Sequence, residues 1–361
     1  MKKRRLGRTE LLVNEIGVGC WAIGGPFTNL GISGGWDGIN FESAKKGLLA
    51  TIQMGANLFD TADVYGFGKS ERLLGWMLEK INYEFNIDRE EIAIASKVGY
   101  FKGCASHGYD PLHMRHQLEM TLQNLKSEYL DVYFFHHLDF GKNEKYLEGA
   151  VDQMKKFREE GLIRYIGLRG PHKFSVLRRE NLDTRENAYN KFLRLFSVIN
   201  PDVISVRYNM ISPTYDQSGT DIFHWAEVNN VGVLIYKPLG QGLLLNKYDP
   251  NNPPKFSHED NRNRKPWFNE KGLTVLKKRL DKIGKKFNCI SVEDYVQLAI
   301  KYCLSRCDSA CVLVGFRNEK QIKESLSTTG YLTQEECDYI RRIFQGVSEE
   351  IGPFIELSEL S

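Results

Sequence analysis

From about residue 16 onward, short apolar runs alternate with longer amphipathic stretches. Eight of the short runs, at 16–19, 57–60, 92–97, 131–136, 165–168, 203–206, 232–236 and 311–314, are mostly β-branched, aromatic or aliphatic. Near-continuous runs of this kind predict strands covered on both faces. Between them, apolar positions recur at helical spacing over 41–54, 71–80, 111–125, 147–160, 174–199 (irregularly), 221–229, 273–287 and 319–325. Strands alternating with helices, and no long linker, predict a closed parallel (β/α)8 barrel, a TIM barrel, with residues 1–361 forming a single domain. Residues 3–15 predict a β-hairpin plugging the barrel floor, with Gly7-Arg8-Thr9 near its turn. Residues 292–304 and 333–344 predict extra helices toward the C-terminus. Two segments follow neither period: 24–38, rich in glycine, and 246–272, rich in Asn, Pro and Arg. They predict long loops, of the kind that close over a ligand.

Composition narrows the classes of function. The chain is 42% hydrophobic and 26% charged, ordinary for a globular protein with a sizeable core. A net charge of +3 with no basic excess on one segment excludes a nucleic-acid footprint. No apolar stretch follows the basic residues Lys2-Lys3-Arg4-Arg5, and no run approaches a membrane span, so the expectation is a cytoplasmic protein without a membrane partner. The seven cysteines are scattered and form no CxxC pair, which predicts reduced thiols. Cys303, Cys307 and Cys311 straddle a helix end, a loop and a strand, so no metal is expected there.

In a parallel barrel the reacting groups sit at the C-terminal ends of the strands. Read in order, those ends carry Asp60, with Tyr65 just beyond it, then Lys97, then His136. An acid, a phenol, an amine and an imidazole therefore converge on one rim. Their neighbours carry a weaker signal: His113 and His116 fall one turn apart on a predicted helix and read as a solvated face. The run Gly17-Val18-Gly19-Cys20-Trp21-Ala22 fits the G-x-G-x-x-A spacing of a dinucleotide fold, with Asp37 about twenty residues on. That motif needs a helix directly after the glycines. Glycine-rich sequence continues to Gly38, and no helix is expected to start there.

Seven motifs in order from residue 3 to about residue 326 give the chain a wider resemblance. They include Asn57-Leu58-Phe59-Asp60-Thr61-Ala62-Asp63-Val64-Tyr65-Gly66, Ala95-Ser96-Lys97-Val98-Gly99, Leu130-Asp131-Val132-Tyr133-Phe134-Phe135-His136-His137 and Tyr236-Lys237-Pro238-Leu239-Gly240-Gln241-Gly242. With Gly19-Cys20-Trp21, Ile163-Arg164-Tyr165-Ile166-Gly167 and Leu313-Val314-Gly315-Phe316-Arg317, the sequence resembles the aldo-keto reductases. The resemblance implies reduction of an aldehyde or ketone by a nicotinamide dinucleotide, with Tyr65 as proton donor. Lys97 would lower the phenol's pKa, Asp60 would pair with Lys97, and His136 would orient the substrate oxygen.

The resemblance also implies how NADP(H) is held. Trp21 and Tyr236 would pack near the nicotinamide, and Lys237, Pro238, Leu239, Gln241, Gly242 and Lys247 would follow the pyrophosphate. Gly315, Arg317, Gln321 and Ser325 would reach the adenosine, with Arg317 forked onto a 2′-phosphate. The family usually ends the fifth barrel strand with Ser-Asn and carries a Gln on the sixth, all gripping the carboxamide. Here Arg169-Gly170 and Ser205 stand in those places: Arg169 could donate to the carboxamide oxygen with Ser205 accepting from its nitrogen, or it could bind an anionic substrate or a cofactor phosphate, and a cation at 169 would disfavour the oxidised ring.

Substrate walls would come from the loops, with Trp36, His107, His137, Arg264 and Trp267 as candidates for a sugar-like or metabolite carbonyl. Two further readings stay open on the same barrel. One is a nucleotide-binding regulatory subunit, since potassium-channel β-subunits resemble this family. The other is a non-redox elimination or epimerisation with a retained nicotinamide.

Overall fold

The predicted strands appear at nearly the predicted places, and their alternation decides which side chains reach the active rim. The computed structural model describes residues 2–171, 188–212 and 221–352. Strands β1 (Lys3–Arg5) and β2 (Leu12–Asn14) pair antiparallel, and β3 (Ile16–Gly19) follows. Next comes a small separate hairpin of β4 (Thr28–Asn29) and β5 (Ile32–Ser33). The remaining strands are β6 (Leu58–Asp60), β7 (Ala93–Val98), β8 (Leu130–Phe135), β9 (Ile163–Arg169), β10 (Val203–Arg207), β11 (Gly232–Tyr236) and β12 (Ala310–Gly315). Strands β3 and β6 to β12 close in chain order into a parallel barrel, with β12 pairing back to β3.

Helices α1 (Phe41–Gln53), α2 (Lys69–Phe85), α3 (Pro111–Leu125), α4 (Leu147–Glu159), α5 (Ala188–Ile199), α6 (Ile222–Val228), α7 (Glu270–Phe287) and α8 (Val292–Leu304) follow along the chain. After β12 come α9 (Glu319–Leu326), α10 (Gln334–Phe344) and α11 (Val347–Ile351). Local chemistry sets their ends. Asp110 accepts from the amides of Leu112 and His113 ahead of Pro111, while Lys126 closes α3 at φ 53°. Ser291 and Asp294 form a capping box at the start of α8. The irregular 174–199 pattern is realised as α5 at its C-terminal end, and residues 174–187 lie outside the described residues.

Two expectations change. The 24–38 loop holds the β4–β5 hairpin, and a single 3-10 turn, Ala22–Gly24, does start after the glycines. It ends at once in Gly25 at φ 76°, so it offers no helix N-terminus to a pyrophosphate, and the closed barrel replaces the open sheet such a motif needs. Helix α11 had no signal strong enough to be read.

The core is divided by strand alternation. Residues such as Val18, Phe59, Ile94, Tyr133, Leu168, Ile204, Ile235 and Val314 face outward and pack under the helices. Leu58, Ala95, Phe134, Leu234 and Leu313 face the lumen, where Leu6, Leu11 and Val13 of the hairpin region close the floor. Continuing the inward parity up each strand reaches Gly19, Asp60, Lys97, His136, Arg169, Ser205, Tyr236 and Gly315. Among the described residues, no helix is long and apolar enough to cross a membrane.

Candidate active site

Those strand ends open into a cleft of about 520 Å³ across the top of the barrel. Lys97 and Asp60 lie at its base, 2.7 Å apart and almost wholly buried. The ammonium also donates to the carbonyl oxygen of Thr61. Burial pushes the Asp60 carboxyl up and the Lys97 ammonium down, and each is opposed by the charge of the other. The pair is therefore a fixed, internally compensated dipole rather than a free cation.

Tyr65 stands over it, with the Lys97 Nζ 5.1 Å from the phenol ring centroid. The turn that carries Tyr65 depends on glycine: Gly66 has φ +61°, and a Cβ there would meet Gly24 O at 2.1 Å. The Trp21 and His136 rings lie 6.1 and 5.8 Å from the Tyr65 ring, centroid to centroid. Burial raises the phenol well above its ordinary value and Asp60 raises it further, while Arg169 is the leading cation pulling it down. In the free protein, burial and the Asp60 charge outweigh the cations around the phenol. The phenol holds its proton firmly at neutral pH.

His136 is buried, and its pKa falls well below 6.5 through burial first, then through the Lys97 and Arg169 charges. It is a neutral imidazole at neutral pH, and its Nδ1 has no hydrogen-bond partner among the described residues. A neutral ring can donate one N–H to an oxygen in the cleft without bringing in a charge. Together these groups can hold a carbonyl oxygen between a phenol O–H and an imidazole N–H.

The rest of the cleft suits a long anionic nucleotide. Gly19 and Gly315 face each other on neighbouring strands, and a Cβ on either would meet nothing closer than 3.7 Å. They leave a flat floor that any side chain would fill. Lys237, Lys247, Arg262 and Arg317 line the same cleft. Burial, with Arg317 and Arg262 nearby, lowers Lys247 to about 8. Among the described residues, neither Lys247 nor Arg317 has a carboxylate within salt-bridge distance, while Arg262 is paired with Asp260. This donor set fits a dinucleotide with several phosphates.

Every side chain expected to contact the dinucleotide lines this cleft, from Trp21, Arg169, Ser205, Tyr236, Lys237, Pro238 and Leu239 through Gln241, Gly242 and Lys247 to Gly315, Arg317, Gln321 and Ser325. Of the expected substrate walls, Trp36 lines it too. His107 and His137 lie behind Tyr100, whose ring centroid is 4.9 Å from that of His137. Trp267 is fully buried, with Nε1 donating to Gly352 O at 3.0 Å, and Arg264 is not among the residues that line the cleft. Arg262 takes the position facing it, stacked 4.5 Å over Trp36 and paired with Asp260 at 2.7 Å.

Sequence reasoning missed Phe27 and Tyr100 on the substrate side, and Glu324 at the far end. Glu324 had a readable signal: it lies one turn past Gln321 and next to Ser325 on α9. Phe27 had none, since its position depends on the fold of the 24–38 segment. The three cysteines once considered for a metal bond to different parts of the fold: Cys303 to Tyr208 O, Cys307 to Glu227 and Cys311 to Asn14 O.

The chain's likeness to known proteins agrees with this site. A profile of the Aldo/keto reductase family matches residues 15–345. The aldo-keto reductase YhdN of Bacillus subtilis is 26% identical, with 98% of this chain and 97% of that protein covered. An NADH-specific methylglyoxal reductase of Escherichia coli K12 is 24% identical over 91% of this chain and 93% of that one. Among solved structures, the glycerol dehydrogenase of Gluconobacter oxydans superposes with a TM-score of 0.72 at 22% identity, covering 99% of this chain and 98% of that chain. With a matching profile over nearly its whole length, on a barrel of the same design, the chain is a member of the aldo/keto reductase family.

Proposed function

We propose that the protein reduces an aldehyde or ketone, a sugar-like or other metabolite carbonyl, to an alcohol with NADPH, using Tyr65 as proton donor. Aldo-keto reductases are oxidoreductases that use nicotinamide cofactors on small carbonyl compounds. The observation that carries the reading is the convergence of Asp60, Tyr65, Lys97 and His136 at one end of a cleft whose other end is lined with cations.

When bound, the nicotinamide supplies the hydride. The protein's own residues do the rest. His136, neutral, donates to the carbonyl oxygen and fixes its direction. Tyr65 gives that oxygen its proton as negative charge develops on it, a task suited to a phenol that is fully protonated beforehand. Asp60 holds Lys97 at the floor of the site, and the Lys97 ammonium is the group of that pair that would stabilise the phenolate left behind. The rings of Trp21, Phe27, Trp36 and Tyr100 wall off water and present faces to a substrate. Arg317 favours a 2′-phosphate and hence NADPH over NADH, in contrast to the NADH-specific E. coli relative.

The test is a fluorescence titration with NADPH and with NADH, followed by a panel of carbonyl compounds read at the cofactor's absorbance. Tyr65→Phe should lower kcat by about 10²–10⁴-fold and leave NADPH affinity within about threefold. Tight binding with no turnover on any carbonyl would favour a regulatory subunit instead, and turnover without net cofactor oxidation would favour a non-redox reaction.

A further inference from the structure

Arg169 is a charged side chain at the reacting end of the cleft, in a place where the family resemblance implies a small neutral residue. It is the last inward-facing residue of β9 and is 8% exposed. Its Nη1 donates to the Tyr100 hydroxyl at 2.7 Å and to His136 O at 3.3 Å. Its Nη2 donates to the Tyr236 hydroxyl at 3.3 Å, and the guanidinium lies 5.5 Å from the Tyr236 ring centroid. Among the described residues, three anchors on different strand ends or loops hold the cation in place. Behind it, Gly170 N donates to Ser205 O at 2.8 Å, and a side chain at 170 would press on that carbonyl at 3.0 Å. Position 170 therefore brings no side chain to the ring, and the polar side chain beside the arginine on the neighbouring strand is the short hydroxyl of Ser205.

We propose that Arg169 makes the site discriminate between the two redox states of the nicotinamide, binding the neutral reduced ring in preference to the cationic oxidised one. The inference rests on the nicotinamide reading above. A hydride can pass only if the ring lies against the carbon whose oxygen meets Tyr65 and His136, and Arg169 lines that same end of the cleft. The ring gains a unit positive charge when it gives up the hydride. A buried guanidinium that cannot swing away opposes that charge by an amount salt screens poorly. The positive potential already reaches the neighbouring groups, since Arg169 depresses both His136 and Lys97. The consequence is a site biased toward carbonyl reduction, in which the spent cofactor is released more readily than the fresh one.

The experiment measures affinities and needs no substrate. Dissociation constants for the oxidised and reduced cofactor are titrated on the wild type, Arg169→Gln and Arg169→Lys, with ADP-ribose as a ligand that lacks the ring. NAD+ and NADH serve equally if they bind better, because the redox charge sits on the ring and not on the 2′-phosphate. The oxidised form should bind about tenfold or more weakly than the reduced form to the wild type. That ratio should fall about tenfold in Arg169→Gln and be largely kept in Arg169→Lys. ADP-ribose affinity should be the same in all three. An unchanged ratio in Arg169→Gln, with ADP-ribose still bound, overturns the inference alone. So does an equal loss of affinity for all ligands, which would make Arg169 a brace for the cleft. Failure of the wild type to bind any of these nucleotides overturns the cofactor reading, and the inference with it.

Discussion

His137 follows the candidate catalytic imidazole in sequence but has a different task. Its Nδ1 accepts from the Asp139 amide at 3.2 Å, and its ring packs between Tyr100 and Tyr109, with centroids 4.9 and 4.6 Å away. Burial lowers its pKa from 6.5 to about 4. Above pH 6.5 the ring is neutral in both the folded and unfolded chain. As the pH falls from 6.5 toward 4, the unfolded chain takes up the proton and the folded one refuses it, so stability is lost across that window. The loss amounts to about 3 kcal/mol by pH 4 for this group alone. Asp60 and Glu71, whose burial raises their carboxyls, work in the opposite sense and mask part of it. A difference between proteins removes that background. His137→Gln should lose less stability than the wild type between pH 7 and pH 4.5, read as the shift in urea midpoint; parallel losses would show that His137 does not titrate as described. At this scale the candidate catalytic residues were legible because each lies at or just beyond the end of a strand that could be read. Residue type marks His107 and His137 as polar and loop-borne, and says nothing of the Tyr100 ring packed against His137.

Elements explain why the two long loops were recognised while their relation was not. The 24–38 and 246–272 segments are joined across the cleft. Gly35 and Asp260 form a parallel bridge, Asn261 donates to Gly35 O through both its backbone and its side chain, and Asp260 accepts from the Asp37 amide at 2.8 Å. Gln241 on the cleft wall donates to Asn261 Oδ1 at 2.9 Å. Partners more than two hundred residues apart leave no local pattern, so sequence gave each loop and not the link. The strands were easier, since period and parity are local. The join has a kinetic consequence under the proposed function: a dinucleotide lying in the cleft must leave past it. Asn261→Ala removes two of the side-chain bonds and should speed nucleotide release about threefold to tenfold, measured by stopped-flow displacement. An unchanged off-rate would mean that the loops part freely without this contact.

At the scale of the whole molecule the two ends of the barrel carry different burdens. The rim holds the charged and aromatic groups of the cleft, and the floor holds a buried ion pair that has no access to it. Arg4 of the hairpin is 4% exposed and donates to Glu15 at 3.0 Å, to Cys307 O and, at 3.0 Å, to Ala310 O at the start of β12. The Tyr331 hydroxyl donates to the same Glu15 carboxylate at 2.6 Å. One guanidinium thus ties the plug, the final barrel strand and the C-terminal region together. Sequence placed Arg4 in a hairpin at the floor but not its bonds to the last strand, because the carbonyls of Cys307 and Ala310 lie some three hundred residues away. Arg4→Ala would leave Glu15 buried with its charge uncompensated and two carbonyls short of a donor. Breaking a buried pair from one side costs about 3–5 kcal/mol, far more than an exposed pair would. The expected outcome is a large drop in the urea midpoint and melting temperature. The cofactor dissociation constant and kcat, measured well below the new melting temperature, should stay close to wild type, because nothing in this network reaches Tyr65 or Lys97. A variant that kept its stability and lost its kinetics would contradict this division between a structural floor and a reactive rim.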